Sequence, residues 1–245
     1  MEQPNSGVSA ALNKGLDLAS GDYITFLGND DHVSPGMYAK MLNRLTETSS
    51  DVAVCDFNLV YEDGTSPKLK YSKTGNDEIV LQNDPYRYFA KCCLNPKSNN
   101  YIWSRLYASE LIKKSGIRFH KLAIGEDTLF NFQLLAHVNK VVFLEEGFYN
   151  YFQRSTSVVR NVAKKKTLAV DYAEQFDHIA DYYKSRGCDY LMEFLPLLAF
   201  TRMRSTFFYS RLSGMKDNEI IQSLTENFTG RQIGAYLSGK KVTED

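Results

Sequence analysis

Residues 21–31 read Gly-Asp-Tyr-Ile-Thr-Phe-Leu-Gly-Asn-Asp-Asp, an apolar run followed at once by short polar and acidic side chains. The apolar part, Tyr23–Leu27, predicts a strand, and Asp30 and Asp31 follow at its end. Carboxylates at the mouth of a sheet suit a divalent cation that carries a phosphorylated ligand. The same residues are also typical of a loop that caps the next helix, so the motif alone leaves both interpretations open.

The segments on either side predict alternating helices and strands. Apolar residues recur at helical spacing in residues 8–19, and Ser34-Pro35 predicts a helix N-terminus after the acidic cluster. Alternating apolar residues in 51–61 predict a second strand. Helix, strand, helix and strand in this order form the layer pattern of an α/β domain.

The pattern changes to helices alone from about residue 164 onward. We therefore predict an α/β domain in residues 1–160 and a C-terminal helical region in residues 161–245. The elements predicted between the two halves are a strand near 78–81, a helix over 103–115, a helix beginning at 126 and a strand over 140–152.

The overall composition excludes several classes of protein. The 245 residues carry 29 basic and 29 acidic side chains, so no global field attracts nucleic acid. No apolar run approaches the length of a membrane span. The four cysteines lack the spacing of a metal site and are interpreted as reduced thiols. We therefore predict a cytoplasmic protein whose only membrane contact is peripheral, at the inner face of the cell membrane.

A second acidic motif, Gly125-Glu126-Asp127-Thr128, precedes an apolar helix. The exposed N–H groups and the dipole at a helix N-terminus stabilise a carboxylate. Such an acid suits a general base, which must be ionised at neutral pH. The alternative is that Asp127 only caps the helix and that Glu126 is a solvated neighbour.

Two basic and aromatic segments follow. Arg and hydroxyl side chains in residues 149–160 predict a closing loop that holds phosphate oxygens, and the alternative is a solvated linker. The second segment lies in residues 202–211. It predicts either a helix face that binds a membrane surface or a helix with a buried apolar stripe and a solvated opposite side. This second set comprises Arg202, Phe207, Phe208 and Tyr209 together with Arg204 and Arg211.

The order of these motifs resembles the family 2 glycosyltransferases of GT-A fold, of the bacterial polysaccharide-building type. Asn-Ser-Gly-Val-Ser-Ala-Ala-Leu-Asn-Lys-Gly at 5–15 and Ala-Ser-Gly-Asp-Tyr-Ile-Thr-Phe-Leu at 19–27 are similar to the run into that family's Asp-x-Asp motif. The resemblance covers about residues 3–160 and is specific because several motifs agree in order. The later matching segments are 103–107, 117–119, 125–130 and 149–157.

The resemblance implies transfer of a sugar from a nucleotide-diphosphate donor to an acceptor hydroxyl, with inversion. It implies Mg²⁺ or Mn²⁺ as cofactor, with Asp30 as the metal ligand. Asn29 and Asp31 would lie near the ribose and the diphosphate. Asp127 matches the family's catalytic base, and Glu126 would support it or touch the acceptor.

Further roles and the fold follow from the same resemblance. Arg154 and Ser157 would bind the donor diphosphate, while Trp103 and Tyr151 would lie on the acceptor side. The acceptor would be a glycan or a lipid-linked precursor. The expected fold is a GT-A-like mixed sheet flanked by helices, incomplete at its N-terminus and followed by a helical appendage.

The sequence departs from the family pattern in three ways. Gly28 stands where the family usually has the first acid of its motif, and Leu12 stands where an Arg often occurs. The family's opening strands are absent, so we expect the 23–27 strand to expose an edge that self-association covers. The alternative function is therefore a non-catalytic remnant that binds a glycan precursor or a partner enzyme. A phosphotransferase is disfavoured because no Gly-rich phosphate loop with Lys is present.

Overall fold

Six strands form one mixed sheet in the computed structural model, which describes residues 6–66, 78–89, 100–122, 124–154, 168–212 and 214–227. The strands are β1 (Tyr23–Ile24), β2 (His32–Val33), β3 (Val52–Tyr61), β4 (Glu78–Gln82), β5 (Arg105–Ala108) and β6 (Lys140–Gln153). The helices are α1 (Val8–Leu18), α2 (Met37–Thr48), α3 (Pro85–Phe89), α4 (Ser109–Ser115), α5 (Glu126–Leu135), α6 (Leu168–Ser185), α7 (Leu195–Leu212) and α8 (Asp217–Asn227), with a 3₁₀ helix at Asp189–Phe194. The sheet flanked by helices and the following helical region confirm the predicted α/β fold.

The strand order is β1-β5-β3-β6-β2, and β4 also pairs with β6. β3 and β6 run parallel over their whole lengths, whereas the other pairs are antiparallel. The long strand β6 therefore carries β3 along one side and β4, then β2, along the other. This arrangement places residues 149–153, at the end of β6, beside the acidic loop that precedes β2.

The central strand β3 divides the core into two layers. Val52 and Val54 pack in a cluster shared with α5 and α6, while Ala53 and Cys55 pack in a cluster shared with α2. All four side chains are at most 2% exposed. Because successive side chains of a strand point to opposite faces, this alternation produces helices on both sides of the sheet.

The helical region packs on α5, whose residues from Thr128 to Leu135 are all buried. The hydroxyl of Tyr183 on α6 donates to the carbonyl of Phe132 over 2.6 Å. The sheet covers one side of α5 and the helical region covers the other, which explains why this helix is buried around its circumference. The position of α5 fixes the acidic motif at its N-terminus between the two parts of the chain.

Two predicted helix boundaries are wrong. The predicted start at Ser34-Pro35 is too early, because the chain turns at Gly36 with φ of 82° and α2 begins only at Met37. The predicted helix over 103–115 is correct only from Ser109 onward. Residues Arg105–Ala108 form a strand instead, because β1 and β3 pair with it on both sides and override its local helical pattern.

The predicted strand over Tyr23–Leu27 is shorter in the structure. Only Tyr23 and Ile24 pair with β5, and Leu27 is 56% exposed. Thr25 leaves the strand ladder, and its hydroxyl donates to the carbonyl of Arg105 over 2.8 Å. The residues after Ile24 therefore form a loop that carries the acidic cluster over to β6.

Candidate functional site

The carboxylate of Asp31 fastens the acidic loop to β6. The hydroxyl of Tyr149 donates to Asp31 Oδ2 over 2.6 Å, and the backbone N–H of Phe152 donates to Oδ1 over 2.8 Å. Both carboxylate oxygens thus accept hydrogen bonds from the protein itself. Asp31 positions the loop, while its predicted contact with the donor stays a prediction.

Gly28 is part of the same junction. Its backbone N–H donates to the hydroxyl of Tyr149 over 3.0 Å, so this hydroxyl bridges the two ends of the loop. A Cβ on residue 28 would lie 2.3 Å from Asp31 Oδ2, much closer than any real contact. The glycine that departs from the family pattern is therefore required by the position of Asp31.

Asp30 and Arg154 form an ion pair in the structure. Arg154 Nε lies 3.1 Å from Asp30 Oδ2, and the Asp30 side chain is 27% exposed. Asn29, in the same loop, is exposed to solvent. Ser157 lies outside the described residues.

The carboxylates near Asp30 fit one particular mode of metal binding. Within the described part of the chain, no three His, Cys, Asp or Glu side chains converge as a metal-binding group. Mg²⁺ commonly keeps several waters and binds through one or two carboxylates together with substrate phosphates. Asp30 therefore fits a cation that is shared with a bound diphosphate and does not form part of a preformed cage.

An aromatic wall connects this loop to the second acidic motif. The ring of Trp103 stacks on Tyr149 at 4.2 Å and on Tyr101 at 4.5 Å between centroids. The ring of Tyr151 lies 5.1 Å from Trp103 in a tilted arrangement. Phe57 contacts Trp103 edge to face at 5.1 Å and completes the wall. The predicted acceptor-side residues Trp103 and Tyr151 thus belong to one surface.

The second acidic motif begins α5. Gly125 is the N-cap residue, with φ of 87°, and makes no side-chain capping bond, so Asp127 lies inside the first turn. Asp127 Oδ1 accepts the backbone N–H of Thr128 over 2.7 Å. This geometry differs from the alternative in which Asp127 caps the helix. Taken as whole residues, Glu126 and Asp127 are both half-buried.

The two carboxyl groups of this motif have different electrostatic surroundings. Burial raises the pKa of Glu126 to about 7, and the neighbouring Asp127 adds to the increase. Burial also raises the pKa of Asp127, but the guanidinium of Arg202 and the hydrogen bond from Thr128 oppose this increase. The pKa of both carboxyl groups is therefore raised, and Arg202 and Thr128 oppose the increase at Asp127. Different surroundings for two neighbouring carboxyl groups are a common feature of acid and base pairs.

Arg202 reaches this motif from the helical region. Its Nε donates to Oε1 of Gln175 over 3.0 Å, and its Nη2 donates to the hydroxyl of Thr128. Its guanidinium lies 4.8 Å from the ring centroid of Tyr172. The sequence placed Arg202 with Arg204 in a basic segment, and nothing in its local pattern indicated this contact. In the structure Arg204 is exposed, whereas Arg202 is held against α5.

Tyr151 lies within electrostatic reach of both acidic motifs. Burial is the main cause of its raised pKa, and the carboxylates of Asp31 and Asp127 add to the increase. Asp31 and Asp127 thus both lie near Tyr151. The structure also pairs Asp30 with Arg154 and brings Trp103 and Tyr151 together in the aromatic wall.

The comparison with family models gives one match in the first half of the chain. Residues 1–115 match the model described as glycosyl transferase family 2. This segment contains the acidic loop and Trp103 but ends before α5.

Curated bacterial proteins extend the similarity further along the chain. The putative glycosyltransferase EpsH of Bacillus subtilis is 26% identical over 170 residues, which cover 67% of this chain and 47% of EpsH. The cholesterol galactosyltransferase of Borreliella burgdorferi is 28% identical over 167 residues, which cover 66% of this chain and 46% of that protein. The chain thus spans about half the length of the curated relatives it matches.

A solved structure shares the fold. S. aureus TarS residues 1–349, in complex with UDP-GlcNAc, aligns with a TM-score of 0.51 and 14% sequence identity. The alignment covers 99% of this chain and 74% of the TarS chain. At this level of identity the likeness concerns the fold alone.

Proposed function

We propose that this chain transfers a sugar from a nucleotide-diphosphate donor to an acceptor hydroxyl, with inversion, in cell-surface polysaccharide assembly, because residues 1–115 match the model of glycosyl transferase family 2. The observation that carries this proposal is the arrangement of two acidic motifs along one aromatic wall. Asp30 and Arg154 lie at one end, and Glu126 and Asp127 lie at the other. Sugar transfer needs groups that bind a metal and phosphate at the donor diphosphate, and it needs a base at the acceptor hydroxyl. The two sets of groups must lie on opposite sides of the transferred sugar.

The donor end combines positive and negative groups that suit a diphosphate. Arg154 supplies a fixed positive charge and several N–H donors for phosphate oxygens. Asp30 would hold Mg²⁺ or Mn²⁺, and the metal would supply positive charge to the donor diphosphate. Asn29, exposed in the same loop, reaches the ribose. The complex of TarS with UDP-GlcNAc supports a nucleotide sugar as the donor class.

The acceptor end supplies the proton transfer. The carboxylate of Asp127 takes the proton of the acceptor hydroxyl. At the same time the oxygen of that hydroxyl attacks the anomeric carbon, and the bond from the sugar to the phosphate breaks. A single displacement of this kind inverts the anomeric centre. The guanidinium of Arg202 favours the ionised form of Asp127, and Glu126, when protonated, donates a hydrogen bond to the acceptor. Trp103 and Tyr151 offer aromatic faces against which a sugar ring packs.

The acceptor in this proposal is a glycan or a lipid-linked precursor, reached by peripheral contact with the inner face of the cell membrane. On α7 the side chains of Phe208, Arg204 and Arg211 are exposed, which suits an interfacial contact. None of the helices in the described ranges has the length and apolar character needed to cross a bilayer. We also propose self-association through β1, whose described pairing is with β5 alone.

One observation favours a second function, the binding of a glycan without transfer. The space next to Gly28 is filled by Asp31, so the loop offers fewer free carboxylates to a donor than its sequence suggests. A protein that has lost donor binding would keep the aromatic wall and the acceptor carboxylates. The two functions therefore differ in donor affinity and not in acceptor affinity.

Calorimetric titration with a panel of nucleotide-diphosphate sugars, with and without Mn²⁺, separates the two. The proposed transferase binds at least one donor, releases nucleoside diphosphate, and loses affinity when EDTA removes the metal. The Arg154→Ala variant should weaken donor binding, whereas Arg118→Ala, at an exposed arginine paired with Asp17, should not. Absence of heat for every donor, with or without metal, would contradict the transferase and favour the non-catalytic binder.

A further inference from the structure

A cavity of about 260 Å³ lies between the α/β domain and the helical region. Its walls come from the end of β4, the start of α3, the end of α5, the start of β6 and the 3₁₀ helix. No residue assigned above to donor, metal or acceptor binding is among its described lining residues. The cavity is therefore separate from the site described above.

One side of the cavity is polar. Asn83 and Asn139 both line it, and the backbone N–H of Asn83 donates to the carbonyl of Asn139 over 2.9 Å. Both side chains are exposed, and neither amide has a hydrogen bond to another residue in the described part of the chain. Asp84 stands beside them, and its Oδ1 accepts the N–H of Arg87 over 3.0 Å. The two amides and this carboxylate offer donors and acceptors to a ligand.

The opposite lining is apolar and aromatic. Leu81, Leu135 and Leu191 form a floor of buried side chains, between 1% and 7% exposed. Tyr190 stands at the rim with 55% of its surface exposed, which is unusual for a large aromatic ring beside a cavity. An exposed ring next to free amides suits a ligand with both an apolar face and hydroxyl groups.

The size and charge of the cavity narrow the class of ligand. An apolar cavity of about 150 Å³ accepts benzene, and drug-sized ligands occupy about 300–1,000 Å³, so this volume suits a single ring. The described lining contains no Lys or Arg, and Asp84 carries a negative charge, which disfavours phosphorylated ligands. A neutral ring with several hydroxyl groups satisfies the amides, the carboxylate and the tyrosine together.

We propose that this cavity is a second carbohydrate subsite, which binds one non-reacting sugar unit of the acceptor or product glycan. This assignment rests on the proposed function for the identity of the glycan. The cavity and the aromatic wall adjoin the same buried side chain: Arg105 Nη1 donates to the hydroxyl of Tyr88 in the cavity lining over 3.1 Å, and its Nε donates to the carbonyl of Tyr101 over 3.0 Å. Arg105 thus connects the cavity lining and the aromatic wall through the interior of the protein.

Saturation-transfer NMR with the protein alone tests this subsite without any transfer reaction. The probes are methyl glucoside, methyl galactoside and methyl N-acetylglucosaminide, with uridine and adenosine as alternative ring ligands. We expect saturable binding of at least one glycoside. Affinity should fall about tenfold or more in Asn139→Ala and in Tyr190→Ala.

The matched controls are Asn43→Ala and Tyr61→Ala, which remove exposed side chains of the same types elsewhere on the surface. Thermal unfolding checks that every variant is folded. The subsite is overturned if no glycoside binds, if neither cavity variant weakens binding, or if uridine or adenosine competes for the cavity instead. Because no donor is present, a failure of sugar transfer leaves this result unaffected.

Discussion

The carboxylate of Asp31 occupies the space that a side chain on Gly28 would need. A Cβ at residue 28 would lie 2.3 Å from Asp31 Oδ2, which is closer than real Cβ contacts. The Asp31 carboxylate is in turn held by Tyr149 on β6. The conformation of the acidic loop therefore depends on the absence of a side chain at one position and the presence of a carboxylate three residues later.

We predict that Gly28→Ala lowers the free energy of unfolding by about 1–3 kcal/mol, because Asp31 must leave its hydrogen-bonded position. The same substitution in an Asp31→Ala background should cost much less, since the clash is gone. Urea unfolding of the two single variants and the double variant measures this coupling. Gly21→Ala is the matched control, because its added Cβ would meet only an ordinary contact at 3.4 Å. Strictly additive costs would contradict the proposed clash.

We predict that Trp103→Ala raises the KM for the acceptor roughly five- to tenfold, because the wall loses its central stacked ring. Trp103→Phe should retain part of the affinity, since it keeps an aromatic face. Steady-state kinetics at saturating donor measures the effect, and Phe200→Ala removes an exposed aromatic on α7 as a control. If only the KM for the donor changed, Trp103 would lie on the donor side of the site, which would contradict the assignment.

We predict that Glu126→Gln changes two pH dependences. Burial raises the pKa of Glu126 from 4.5 to about 7, so the folded protein retains a proton there that the unfolded chain has lost. The free energy of unfolding should therefore fall by on the order of 3 kcal/mol as pH rises from 4.5 to about 7. The Glu126→Gln variant should lack this dependence on pH. The alkaline limb of the activity profile should shift to higher pH, because the amide still donates its hydrogen bond to the acceptor above about pH 7, where Glu126 loses its proton.

Urea unfolding and initial rates between pH 4.5 and 8 measure both changes. Asp22 is exposed on the loop before β1, and Asp22→Asn serves as the charge control. An unchanged slope of stability against pH in Glu126→Gln would show that this carboxyl does not carry the raised pKa.

The sequence was sufficient for the parts of the fold that depend on local pattern. The helix at α5, the strands β3, β4 and β6, and the helices after residue 168 follow from apolar periodicity. The acidic loop was also recognisable, because turn formers and carboxylates directly follow an apolar run. These features need only the residues within each segment.

The remaining features depend on partners that are distant in sequence. β5 is a strand because β1 and β3 pair with it, although its residues alone favour a helix. Arg202 contacts Thr128 from 74 residues away, and Asp31 contacts Tyr149 from 118 residues away. No local pattern encodes these contacts, so the sequence suggested that Gly28 weakens a metal site and gave no sign that it accommodates Asp31.

The central claim is that Asp127 is the base for sugar transfer, and the kinetics of Asp127→Asn test it most directly. With donor, metal and acceptor saturating, we predict that kcat falls by about 10²- to 10⁴-fold, since the neutral amide cannot take the proton. Donor affinity and the thermal unfolding midpoint should stay near those of the parent protein. A folded Asp127→Asn variant that transfers sugar at the parent rate would contradict the account.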